Sequence, residues 1–183
     1  IDPGEDIEAL SMKISQMLKE VGQFLDVGAA TLSFGETEDK DWINNWKQFF
    51  KPFRLDDSII IKPTWETVND RKEGDIIVEI DPGTAFGTGS HETTRLCISQ
   101  IKRFLKPGDK VLDLGCGSGI LSIIALKLGA GKVVGTDIDP NAIIATKENL
   151  AVNHIEEGSM IPYEGNLLED EALCEKIGEG QYD

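Results

Sequence analysis

The segment Val111-Leu112-Asp113-Leu114-Gly115-Cys116-Gly117-Ser118-Gly119 runs an apolar stretch straight into three glycines, and a helix-forming sequence follows. Glycine serves where the chain turns sharply and where a ligand comes closer than a Cβ allows, and the first turn of a helix offers unpaired N–H groups. Strand, glycine turn and helix together form the first turn of a nucleotide-binding α/β fold. Dinucleotide sites favour G-x-G-x-x-G or A, but here the glycines fall at 115, 117 and 119 and position 120 is Ile. That spacing opposes a nicotinamide dehydrogenase. Without an aligned diphosphate, the turn and the helix end would face an adenosine and a methionine carboxylate, with Asp113 just beneath.

Turn formation alone would explain a glycine triplet, so the next strand supplies the constraint. Val133-Val134-Gly135-Thr136-Asp137 ends in a carboxylate 22 residues after Gly115, where an acid accepts hydrogen bonds from both ribose hydroxyls. The competing role, a helix cap, is already filled by Asp139 ahead of Pro140. After a third strand, Gly165-Asn166-Leu167 is placed to meet an adenine edge, with Asn166 able to donate and accept. Loop asparagines also serve plain turns, and both roles stay open for Asn166.

These residues need a scaffold, and the chain supplies alternating elements: strand Lys110 to Leu114, helix Ile120 to Leu128, strand Lys132 to Asp137, helix Pro140 to Asn153, strand Met160 to Glu164 and helix Glu169 to Ile177. Repeated βα units imply a parallel sheet with right-handed crossovers and helices on both faces. Ahead of them, a glycine-rich turn over 83–89 leads to a helix whose start is marked by Ser90, and Pro107-Gly108 ends it. Ser58 to Pro63 and Asp75 to Glu79 read as two strands of a hairpin around a charged turn. Trp42, Trp46, Phe49, Phe50 and Phe53 fall at helical spacing among Lys47, Lys51 and Arg54. Such interleaving occurs in single-strand nucleic-acid binders, but the stripe fits a buried joint between modules better. Further forward, Ile7, Leu10, Ile14, Met17, Leu18 and Val21 lie on one stripe of a helix over Asp6 to Phe24, and Ala29 to Phe34 reads as a strand. One helix and one strand cannot close a core, so residues 1–40 read as part of a small α/β module.

With 183 residues, 40% hydrophobic and 28% charged, the chain suits a globular protein of at most two modules, and no apolar run approaches a membrane span. Cys97, Cys116 and Cys174 are too widely spaced for a metal site and read as reduced thiols of a cytoplasmic protein. The net charge is −15, and residues 156–183 hold nine carboxylates against Lys176 alone. Such a surface disfavours direct nucleic-acid contact and is compatible with a basic protein partner.

The loop Asp81-Pro82-Gly83-Thr84-Ala85-Phe86-Gly87-Thr88-Gly89-Ser90-His91-Glu92-Thr93-Thr94 resembles the signature loop of the PrmA family, the bacterial ribosomal-protein methyltransferases. Gly135-Thr136-Asp137-Ile138-Asp139-Pro140 and the aromatic joint Trp42-Ile43-Asn44-Asn45-Trp46-Lys47 with Phe50-Lys51-Pro52 are similar too. The resemblance covers residues 41–165. It implies a class I, Rossmann-like methyltransferase sheet that binds S-adenosyl-L-methionine, and transfer of methyl groups to lysine and α-amino nitrogens of protein eleven of the large ribosomal subunit, a basic partner. Carried onto matching positions, the family's cofactor site gives Thr94, Gly115 and Asp137, with Phe86 in the loop closing over methionine; Gly117, Gly119, Ile138 and Asn166 complete the expected set. A threonine in a first helical turn also satisfies its own backbone, and His91 is expected to be structural, because in-line transfer from a sulfonium needs proximity and an unprotonated amine more than a strong base.

Family members have a complete small amino-terminal domain and a seven-stranded sheet, whereas this chain opens without methionine and stops at Asp183, where a fourth strand should begin. The expected organisation is therefore a partial recognition module over 1–40, an aromatic helical linker over 41–57 and a cofactor domain over 58–183 that is truncated after its third strand. Such a chain is expected to turn over little, and no catalytic base or metal is assigned. A methyltransferase for small amines and a non-catalytic cofactor-binding module are the alternatives.

Overall fold

Local capping sets the first helix of the chain. In the computed structural model, which describes residues 6–33, 46–81 and 91–183, the Asp6 carboxylate accepts the N–H groups of Glu8 and Ala9 and starts α1 (Ile7–Val21). Residues Ile1–Asn45 and Trp46–Asp183 form two compact units. In the first, Ile7, Met17 and Val21 on the apolar stripe of α1 stay exposed. The strand expected from Ala29 is not formed over residues 29–33, and Phe34 lies outside the described residues. Gly28 and Ala30 both have positive φ, and a left-handed residue breaks an extended run.

The second unit opens with a short 3-10 helix, Trp46–Phe49. The expected aromatic helix does not continue through it. Pro52 lacks a donor and disfavours helical geometry at Lys51, and Phe53 enters strand β1 (Phe53–Arg54) instead; residues 41–45 lie outside the described residues. β1 pairs antiparallel with β2 (Ile59–Lys62) around a turn in which Asp56 Oδ1 accepts the N–H groups of Ser58 and Ile59 at 2.8 and 2.9 Å.

The expected hairpin between Ser58–Pro63 and Asp75–Glu79 is a parallel pair. β3 (Ile76–Glu79) runs alongside β2 with Ile59 opposite Ile76 and Lys62 opposite Glu79. Hairpin loops take two to five residues, and the longer connection 63–75 gives the chain room to return to the starting end. Polar pairs hold it there: Arg54 grips both Asp75 oxygens at 2.7 and 2.8 Å, and the Thr64 N–H and hydroxyl donate to Asp81 at 2.7 and 2.8 Å.

Three parallel strands follow in the order β4 (Lys110–Leu114), β5 (Lys132–Asp137), β6 (Met160–Glu164), with the bounds read from the sequence. Helices α2 (Glu92–Phe104), α3 (Ile120–Lys127), α4 (Pro140–Val152) and α5 (Glu171–Ile177) accompany them. Asp139 caps α4 and Pro140 opens it, as its sequence requires. α5 starts two residues later than expected because Asp170 is its cap. His91, not Ser90, caps α2; Ser90 lies outside the described residues.

The two sheets share a core through α3. Ile59, Ile61, Val78 and Ile80 of the front sheet cluster with Ile98 of α2 and with Ile120, Ile123 and Ile124 of α3. Ala125 of the same helix packs with Val133, Ile143 and Met160 beneath the second sheet. This accounts for a helix that is apolar on nearly all sides. No described helix is long and apolar enough to cross a membrane.

Candidate functional site

At the C-terminal ends of β4, β5 and β6 lies an open cleft of about 360 Å³, lined by Gly115, Asp137, Ile138 and Asn166 together with Leu114, Thr136, Gly165, Leu167 and Leu168. This is the end of a parallel sheet where ligands bind. The glycine turn is pinned from below, because the N–H groups of Gly115 and Cys116 both donate to Thr136 O, at 2.8 and 2.9 Å. Gly115 has φ +74, and a Cβ built on it would meet no protein atom within 4 Å. Its missing side chain leaves room in the cleft. Gly119 serves differently: a Cβ there would stand 3.1 Å from the Thr146 side chain, so this glycine lets the turn pack on α4.

Asp137 stands half-buried at the end of β5. Its Oδ2 accepts the Gly117 N–H at 2.9 Å and its Oδ1 accepts the Asp139 N–H at 3.0 Å. Each oxygen keeps a second lone pair, so the backbone aims the carboxylate without saturating it. Asn166 Oδ1 accepts the Leu168 N–H at 3.0 Å, a turn role that leaves its amide N–H groups for a ligand. The walls are apolar and exposed: Leu114 is 63%, Ile138 73% and Leu168 94% accessible. Exposed leucine and isoleucine around a charged floor suit a flat, mostly apolar ring with a polar sugar.

Asp113 sits under the turn, 8% exposed, and accepts the Ser122 hydroxyl at 2.6 Å. Burial pushes its carboxyl above the usual carboxylate range, aided by the nearby Asp137 charge and opposed by the bonds from Ser122. Burial likewise pushes the Cys116 thiol up to about 11, so this cysteine is no nucleophile at neutral pH.

Among the expected site residues, the structure brings Gly115, Asp137, Ile138 and Asn166 to one cleft, with Gly117 one hydrogen bond away. Thr94 is buried in the first turn of α2 and does not line the cleft. Phe86 and the loop 82–90 lie outside the described residues. His91 caps α2, its Nδ1 accepting the Thr93 N–H at 3.3 Å and lying 2.7 Å from the Thr93 hydroxyl. Leu168 went unread in the sequence; its signal is the apolar pair Leu167-Leu168 set in a loop between Asn166 and Glu169. A larger groove of about 550 Å³ adjoins the cleft across Leu167 and Leu168, edged by Glu169, Glu171, Glu175 and Glu179. It lacks the glycine turn and Asp137, which line or adjoin the smaller cleft.

A parallel sheet with a glycine turn after its first strand and a carboxylate closing its second, with glycines at 115, 117 and 119 rather than in dinucleotide spacing, fits a class I methyltransferase domain. The chain belongs to the ribosomal protein L11 methyltransferase (PrmA) family, whose profile matches residues 5–177. It is 54% identical to the ribosomal protein L11 methyltransferase of Lachnoclostridium phytofermentans over 98% of this chain and 58% of that protein. With the corresponding protein of Lachnospira eligens it shares 50% identity over 100% of this chain and 57% of that protein. The crystal structure of a ribosomal protein L11 methylase from Lactobacillus delbrueckii subsp. bulgaricus superposes with a TM-score of 0.60 at 38% identity, covering 67% of this chain and 61% of that one. The chain thus spans under three-fifths of the length of the two sequence relatives.

Proposed function

We propose that this chain carries the S-adenosyl-L-methionine site of a cytoplasmic enzyme that N-methylates lysine side chains and an α-amino group of ribosomal protein L11. Residues 58–183 serve as the cofactor domain, 41–57 as the joint and 1–40 as part of the substrate grip. The observation that carries the reading is the cleft, in which Gly115, the Asp137 carboxylate and the exposed apolar walls converge at the sheet's C-terminal end.

The residues fit an adenosyl group. Asp137, held by two backbone N–H groups, has lone pairs for both hydroxyls of a ribose; Ile138 and Leu168 flank a ring; the open space at Gly115 admits a ligand against the backbone. Gly117, Gly119, Thr94, Phe86 and the free Asn166 amide are assigned to the same site. Bound there, the cofactor supplies an electrophilic methyl group on a sulfonium. The chain's part is to bind and orient it, and no residue is assigned as a base. A lysine acceptor, with a reference pKa of about 10.4, must lose its proton before its lone pair attacks. The net charge of −15 favours approach of a basic protein and opposes direct contact with nucleic acid.

Calorimetry with S-adenosylhomocysteine and methyl transfer to purified L11 by the full-length protein test the reading. Asp137→Ala should weaken binding by about 1.5–3 kcal/mol, the scale of charge-assisted hydrogen bonds, and Asp137→Asn by less. Unchanged affinity in a folded Asp137→Ala variant removes Asp137 from the site, and transfer to a small amine but not to L11 replaces the protein substrate.

A further inference from the structure

α4 carries a buried polar stripe that the cleft does not use. Thr146, Asn149 and Asn153 follow at i, i+3 and i+7 on one face and are 0%, 3% and 5% exposed. Buried amides persist only where they find hydrogen-bond partners, and each asparagine here uses both its oxygen and its nitrogen. Asn153 Oδ1 accepts the Glu79 N–H at 2.9 Å while its Nδ2 donates to Glu79 O at 2.6 Å. That two-point contact reproduces what a neighbouring strand would offer to the open edge of β3. Asn149 reaches in two directions: Nδ2 donates to Ser118 O at 2.8 Å and Oδ1 accepts the Asp81 N–H at 3.3 Å. Thr146 donates to Gly117 O at 2.9 Å.

The spacing explains why a helix substitutes for a strand here. Four residues of helix advance about 6 Å, and two residues of strand about 6.6 Å. Asn149 and Asn153 therefore meet Asp81 and Glu79 in step. The two partners of Asn149 differ in kind, since Ser118 belongs to the glycine turn and Asp81 follows β3.

We propose that Asn149 is a positioning residue for the cofactor turn. With Thr146 it holds the carbonyls of Gly117 and Ser118 on the side away from Asp137, which leaves the Gly117 N–H aimed at the carboxylate, and through its oxygen it ties the turn to Asp81 at the end of the front sheet. Asn153 secures the front sheet to α4, donates from Nδ2 to Asn149 O at 2.8 Å and, among the described residues, makes no hydrogen bond to the glycine turn. The inference rests on the cofactor reading above and adds a residue that does not line the cleft.

The two asparagines provide the control. In the full-length protein, Asn149→Leu and Asn153→Leu each remove a buried amide of similar size, and both should lower the melting temperature. With S-adenosylhomocysteine in calorimetry, at a temperature where circular dichroism shows both variants folded, Asn149→Leu should raise Kd at least fivefold and Asn153→Leu less than twofold. Equal changes in Kd, or a folded Asn149→Leu with unaltered Kd, overturn the proposal while leaving the cofactor reading intact. If Asn149→Leu does not fold, Asn149→Asp carries the test: it keeps an acceptor for Asp81 but, when ionised, loses the donor to Ser118. It should raise Kd at least fivefold at pH 8, and an unchanged Kd overturns the assignment. Wild-type protein that fails to bind S-adenosylhomocysteine removes the cofactor reading and this inference together.

Discussion

The two sheets of the second unit have three strands each, yet they are held by different forces. The cofactor sheet, β4 to β6, is regular: every pair is parallel and a helix spans each crossover. The front sheet mixes one antiparallel and one parallel pair, with no helix between β2 and β3. It is stitched by ion pairs from Arg54 to Asp75, Lys62 to Glu79 and Lys102 to Asp56. A buried carboxylate marks each sheet. Asp75 and Asp113 are both 8% exposed, but the Arg54 guanidinium holds the Asp75 carboxyl well below the usual range, whereas among the described residues Asp113 is partnered by Ser122 and its carboxyl is pushed up by burial. A carboxylate paired with a cation supports its sheet, whereas the one without a cation is held by a hydroxyl donor.

The sharpest test of whether the sheets are separable lies in α3, which packs on both. Ile123 is 0% exposed within the cluster that also holds Ile59, Val78 and Ile98. Ile123→Ala should cost about 2–5 kcal/mol, and far-ultraviolet and tryptophan signals should be lost in one urea transition. Two transitions, with one sheet unfolding first, would break the idea of a shared core.

Arg54→Met comes next. It leaves Asp75 buried without its cation, and the wild-type behaviour fixes the sign. A carboxyl depressed in the folded state contributes stability above its unfolded pKa of about 4, and that contribution is lost as pH falls through the folded value. Removing Arg54 erases the contribution, so the variant should be less stable at neutral pH and should unfold in acid at a higher pH than wild type. A melting temperature that matches wild type from pH 7 to pH 4 would show that the pair does not hold the front sheet.

The contrast also explains what the sequence disclosed. Strands 110–114, 132–137 and 160–164 were legible because each is a short, mostly apolar run bounded by turn residues and set between helical patterns. The parallel pairing of β2 with β3 was not, since Arg54 and Asp75 lie 21 positions apart and leave no periodic trace. At the site, Gly115 and Asp137 announced themselves by spacing. Asn149 and Asn153 did not, because in Glu148-Asn149-Leu150-Ala151-Val152-Asn153 a polar residue on a helix reads as solvent-facing until the glycine turn, Asp81 and the edge of β3 supply its partners. Thr94 was singled out by its motif, and its burial in the first turn of α2 could not be read from that motif.

The smallest effect, and the one that sharpens the comparison most, belongs to Asp113. Burial raises its folded pKa, so between the ordinary carboxylate value near 4 and that raised value the folded state binds the proton that the unfolded state has released. Stability from this group is fully present below that window and is lost as pH rises through it, the reverse of Asp75. Asp113→Asn removes the charge that burial penalises, while its amide oxygen still accepts the Ser122 hydroxyl. The variant should therefore melt slightly above wild type at pH 7, and the gap should close on acidification toward pH 4. Thermal melts across that range, read beside those of Asp75→Asn, provide the check, because the two substitutions should have opposite signs at neutral pH. If Asp113→Asn is destabilising by the same amount at both ends of the range, the carboxylate is compensated by polar contacts stronger than the Ser122 bond, and the two sheets then tolerate charge in the same way.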